Sequence, residues 1–116
     1  MNVIKGVVFD IDDTLYDYEH CNKIAVNKIE KYTCDAYGLS GEEFHKFYKM
    51  AKEEVKKQLG NTGSSHNRLL YAQIFLEKIG ESPVKDALNI YNIYWDSMLE
   101  NMQLYPYVLS LMKILK

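Results

Sequence analysis

Asp10 and Asp12 stand two residues apart, directly after the apolar run Val7-Val8-Phe9, and Thr14 follows two residues later. With Asp13 and Asp17 they place four carboxylates within residues 10–17. Like charges this close repel, so the cluster asks for a chemical reason. A calcium-binding EF-hand loop started at Asp10 fails. Its fifth position is Thr14, its sixth is Leu15 instead of glycine, and its twelfth is Cys21. A plain acidic turn accounts for Asp13 and Asp17. It does not account for two acids at i and i+2 where a buried-type strand ends, the place at which open α/β sheets bind ligands. There one carboxylate of the pair can attack an electrophile and form a covalent intermediate. The second can protonate a leaving group and later activate water. A phosphoryl substrate is itself anionic. The pair therefore implies Mg²⁺, which prefers oxygen ligands and neutralises the transferring group. Thr14 offers a hydroxyl and a backbone N–H to the phosphoryl oxygens.

The elements that must position these groups divide simply. Residues 2–10 (NVIKGVVFD) read as a β-strand, the apolar run being too short for a helix. Almost everything after Tyr18 reads as helix. A first helix is predicted from about His20 to Tyr37, with Cys21, Ala25, Ile29, Tyr32 and Ala36 on its apolar stripe and Gly38 ending it. Ser40 and Glu43 have capping-box spacing, so a second helix starts there. It carries Phe44, Phe47, Tyr48, Ala51, Val55 and Leu59 and stops at Gly60. The loop GNTGSS leads to a third helix with Leu69, Leu70, Ala72, Ile74, Leu76 and Ile79. Ser82-Pro83 opens a fourth. Its expected buried stripe is Leu88, Tyr91, Trp95, Met98, Leu99 and Met102. A fifth helix is predicted for Val108 to Leu115. The aromatic and methionine positions of the second and fourth helices read as packed faces, not as a cofactor pocket.

At 116 residues, 47% hydrophobic and 26% charged, the chain is one globular domain by prior. Its net charge of −2 argues against a nucleic-acid partner. No stretch approaches the roughly 20 apolar residues of a membrane span, and no signal-peptide pattern opens the chain. Cys21 and Cys34 fall on one helix about 20 Å apart, too far for a disulfide. They read as free thiols in a reducing, cytoplasmic compartment. His20, His45 and His66 show no metal-ligand spacing.

The stretch VVFDIDDTLYD closely resembles the first motif of the haloacid dehalogenase-like hydrolases, an apolar strand followed by D-x-D-x-T. The resemblance implies an α/β parent fold with a Rossmann-like core. It implies Asp10 as the nucleophile that forms an aspartyl-phosphate, Asp12 as general acid/base, and a Mg²⁺ site that uses Asp10 and the backbone carbonyl of Asp12. An acid at Asp12 implies a phosphatase or phosphomutase, not a dehalogenase. The helices after the motif resemble the family's helical cap. LYPYVLSLMKILK resembles its return to the core, with Tyr107 where glycine is common. The implied organisation is residues 1–17 as first strand and catalytic loop, 18–103 as a four-helix cap, and 104–116 as return segment. The family's later motifs (a Thr or Ser, a Lys and an acidic pair) do not follow. The chain is therefore expected to be the N-terminal part of a longer enzyme and inactive alone, and its single strand is expected to pair with a second copy or to be loosely ordered.

Within the cap, SSHNRLLY is the polar stretch best placed to meet a small phosphorylated substrate. Asn67 and Arg68 are candidate binding residues at a helix N-terminus. Arg68 reads equally well as a surface residue paired with Glu42 or Glu43. A non-catalytic helical interaction module that retains the aspartates as a relic is the alternative from another class.

Overall fold

The structure is a computed structural model that describes residues 1–116. Four helices make the body: α1 (Tyr18–Tyr37), α2 (Gly41–Leu59), α3 (Arg68–Lys78) and α4 (Pro83–Asn101). Gly63–His66 form a short 3₁₀ turn before α3, and α5 (Val108–Leu115) follows the bundle. The ends come from local chemistry. Asp17 caps α1 through the His20 N–H. Ser40 and Glu43 cap α2 reciprocally. Asn67 caps α3 by accepting from the Leu69 and Leu70 N–H groups. Each such cap is worth about 1 kcal/mol. Gly38 ends α1 at φ 68°, a left-handed conformation that costs glycine little.

The helices close a ring: α1 packs on α2 and α4, and α3 packs on α2 and α4. The core between them holds Ala25, Ile29, Phe44, Ala51, Phe75, Leu76, Tyr94 and Met98. Phe44, Tyr48 and Phe75 pack ring to ring within it, at centroid separations of 5.3 to 6.3 Å. An electrostatic tie joins the C-terminal end of α1 to the start of α4. The Tyr32 hydroxyl donates to Asp86 at 2.9 Å and the Tyr37 hydroxyl at 2.5 Å.

Two expectations need correction. Residues 2–10 do not form a strand. They run without ladder partners, and Val3, Ile4, Val7 and Val8 are exposed. A strand exists only through pairing, and the remaining bridges, Asp12 with Tyr16 and Tyr16 with Leu104, are isolated. The chain is thus mostly helical, with isolated bridges in place of a strand.

The second correction is the facing of α4. Ala87, Ile90, Tyr94, Ser97 and Met98 are its buried residues, whereas Leu88 and Leu99, expected inside, are 60% and 66% exposed. The bundle buries the adjacent strip, whose small Ala87 and Ser97 admit close approach of α1 and α3. Ala36 of α1 is likewise exposed, and Thr33 takes the buried place. Its hydroxyl is satisfied by the Ile29 carbonyl at 2.8 Å.

Helix α5 packs against none of the other helices, and Leu109 and Ile114 are exposed on it. With residues 2–10 it stretches the molecule to 62 × 28 × 23 Å and a radius of gyration of 17.9 Å, against about 13 Å for a compact domain of this size. No helix is long and apolar enough to cross a membrane.

Candidate active site

The four carboxylates separate into different jobs. Asp17 Oδ1 accepts the His20 N–H at 3.0 Å, and Asp13 Oδ1 accepts the Glu19 N–H at 3.3 Å. Both serve the start of α1. Asp12 Oδ1 accepts from the Tyr16 hydroxyl at 2.7 Å. Asp10 takes part in none of these bonds and is exposed.

The intervening turn is tight. The N–H groups of Thr14 and Leu15 both donate to the Ile11 carbonyl, at 3.2 and 2.9 Å. Asp13 sits at φ 57°, a left-handed position that aspartate tolerates better than most residues. The return segment closes on this turn through Tyr105 N–H to Leu15 carbonyl at 2.8 Å. Tyr107 is itself left-handed at φ 74°.

Beside the turn lies a cavity of about 570 Å³, lined in part by Asp12, Tyr16, Tyr18, His66, Arg68 and Trp95. Two of the candidates chosen from sequence, Asp12 and Arg68, thus share one cavity. Asp10, Thr14 and Asn67 are not among its lining residues. Asn67 Oδ1 is occupied by the cap of α3.

Arg68 does not pair with Glu42 or Glu43. Its guanidinium donates to the His66 carbonyl at 2.7 Å and to the Tyr18 hydroxyl at 2.5 Å. It also lies over the rings of Tyr71 and Tyr94, at 5.2 and 5.0 Å from their centroids. It is half-buried and has no carboxylate within ion-pair distance. A cation removed from water without a counter-charge is costly. Its stacked position beside an open cavity therefore suits a bound anion. Burial, and then the bond to Asp12, raise the Tyr16 hydroxyl well above the usual tyrosine range. Tyr16 therefore stays a donor to Asp12 at any physiological pH.

Tyr16, Tyr18, His66 and Trp95 were not singled out by sequence. The available signal was local for Tyr16 and Tyr18, which follow the motif at once. For Trp95 the helical spacing pointed to packing.

No group of three His, Cys, Asp or Glu side chains converges in the chain. Mg²⁺ is nonetheless commonly held by one or two carboxylates with water and substrate phosphate completing the shell. Asp10, exposed and outside these bonds, and Asp12, two residues on in sequence, are the carboxylates that would be available to such a shell.

The chain is similar to the ribulose-1,5-bisphosphate 5-phosphatase of Halopiger xanaduensis (strain DSM 18323 / JCM 14033 / SH-6), with 39% identity over 103 residues. The match covers 87% of this chain and 43% of that protein, so the chain spans less than half the length of the curated relative it matches. No family model matches the chain, and no solved structure does.

Proposed function

We propose that the chain carries the nucleophile and the substrate-recognising helices of a Mg²⁺-dependent phosphatase of the haloacid dehalogenase-like type, acting on a small phosphorylated molecule. The observation that carries this reading is the meeting of Asp12 and Arg68 in one cavity beside the D-x-D-x-T turn. The phosphatase relative supports it.

In the proposed reaction an Asp10 carboxylate oxygen attacks phosphorus and the phosphorus–oxygen bond to the substrate alcohol breaks. Asp12 passes its proton to the leaving oxygen. Water then attacks the aspartyl-phosphate and gives a proton to Asp12. Inorganic phosphate leaves and the Asp10 carboxylate is restored. Tyr16 holds Asp12 Oδ1 at 2.7 Å, leaving Oδ2 for the proton. Mg²⁺ at Asp10 and Asp12 would supply charge neutralisation at the transferring group. Arg68 binds the substrate's anion, and Tyr18 and His66 hold Arg68 in place.

Attack by a carboxylate on a phosphate dianion needs cations and donors around the equatorial oxygens. The chain brings few of these together, so the 116 residues by themselves are expected to turn over little or nothing. The test is hydrolysis of an aryl phosphate and of sugar phosphates by the protein expressed from its full reading frame. Asp10→Asn should abolish turnover, and Asp12→Asn should lower it by roughly 10²- to 10⁴-fold. Retained activity in Asp10→Asn defeats the assignment. Absence of turnover in the unsubstituted protein would instead favour the interaction-module reading, for which the exposed apolar faces of α4 and α5 are the supporting observation.

A further inference from the structure

A second concavity lies on the bundle between α1 and α2, away from the aspartates. It encloses about 620 Å³ and is lined by Asn22, Lys23, Val26, Asn27, His45, Tyr48, Lys49 and Lys52. Three lysines and two amides line it, and no carboxylate does.

The lysines are poorly compensated. Lys23 and Lys52 have no ion-pair partner, and Lys49 has only Glu53 at a loose 3.9 Å. Glu30, on α1, is taken by His45 Nε2 at 3.1 Å. Lys52 is half-buried and rests its ammonium on the Tyr48 ring, 5.4 Å from the centroid. Burial first, then the like charges of Lys56 and Arg68, lower its pKa. A neighbourhood that disfavours its own cation is relieved by an anion from outside.

We propose that this groove binds a small, multiply charged anion of the phosphate class, with Lys23, Lys49 and Lys52 as the cationic contacts and Asn22 and Asn27 as amide donors. Lysine suits the task as a mobile point charge for phosphate oxygens. The site is distinct from the Asp12–Arg68 cavity and has no lining residue in common with it, yet packed tyrosines connect the two. Tyr94 lies under Arg68 and donates its hydroxyl to Asn22 Oδ1 at 2.6 Å. Tyr48 packs on Tyr71, the other ring beneath Arg68, at 6.4 Å.

The test is titration of inorganic pyrophosphate into the isotope-labelled 116-residue chain, followed by backbone amide shifts and by calorimetry at two salt concentrations. Saturable shifts at Asn22, Lys49 and Lys52, weakening with salt, are expected. Lys49→Gln/Lys52→Gln should raise Kd at least tenfold. Lys23→Gln, on the other helix and exposed, should raise it severalfold without touching α2. Absence of saturable binding, or an unchanged Kd in both variants, overturns the proposal. Loss of binding in Arg68→Ala with no loss in the lysine variants overturns it too, by assigning the anion to the cavity beside Asp12. Neither result bears on the proposed phosphatase reaction, which is read separately through Asp10.

Discussion

Tyr94 touches two sites at once: its ring lies 5.0 Å below the Arg68 guanidinium, and its hydroxyl reaches Asn22 at 2.6 Å. Removing only the hydroxyl separates these roles. Tyr94→Phe keeps the ring under Arg68 and leaves Asn22 without its donor. We expect a loss of about 1 kcal/mol in urea denaturation, with the fold unchanged by circular dichroism.

Arg68 is a planar donor lying over two rings, and lysine cannot reproduce that. In the phosphatase assay Arg68→Lys is expected to raise KM about tenfold, roughly 1.4 kcal/mol, with a smaller effect on kcat. An equal fall in kcat with KM unchanged would instead make Arg68 a group that acts only in the transition state.

The tyrosines set an alkaline limit. Burial, only partly offset by Arg68, pushes the Tyr94 hydroxyl up to about 12, and Tyr16, Tyr37 and Tyr48 also lie well above their ordinary value of 10.0. The fold therefore holds these protons more tightly than the unfolded chain does. Their contribution to stability is fully present below about pH 10. It is lost as pH rises through the folded values. Ultraviolet titration should show a set of tyrosines that ionise late, together with unfolding as they do so.

Asp86 accepts from both Tyr32 and Tyr37 and so ties α1 to α4. Asp86→Asn replaces two charge-assisted bonds with weaker ones and should cost about 2 kcal/mol by chemical denaturation. A cost within 0.5 kcal/mol of zero, the range of ordinary surface changes, would show that water serves the tyrosines equally well.

Helix boundaries were legible because their chemistry is local. Ser40 with Glu43, Gly38, Gly60 and Pro83 each act within a turn or so of sequence. The facing of α4 was not legible. Val84, Leu88, Trp95 and Leu99 make one apolar strip, and Ala87, Ile90, Tyr94 and Met98 make the next. Nothing within the helix says which strip its neighbours cover. The run 2–10 has strand composition but no partner, and pairing is a property of two segments. At the candidate site, Asp12 was readable from its motif. Its convergence with Arg68 depends on where the bundle places the start of α3, and that is tertiary information. Tyr107 is a further case: its left-handed φ of 74° is a backbone conformation that favours glycine, and its residue type gives no sign of it.

The bare edge of residues 2–10 also bears on how the polypeptide behaves when concentrated. Val3, Ile4, Val7, Val8 and Phe9 lie in a window with one charge and no proline, and its N–H and C=O groups carry no ladder. Such a segment is a template for cross-β stacking. Fibril growth seeded from this tail, while the four helices stay folded, is therefore expected in concentrated solution by thioflavin fluorescence, and Val8→Lys is expected to suppress it.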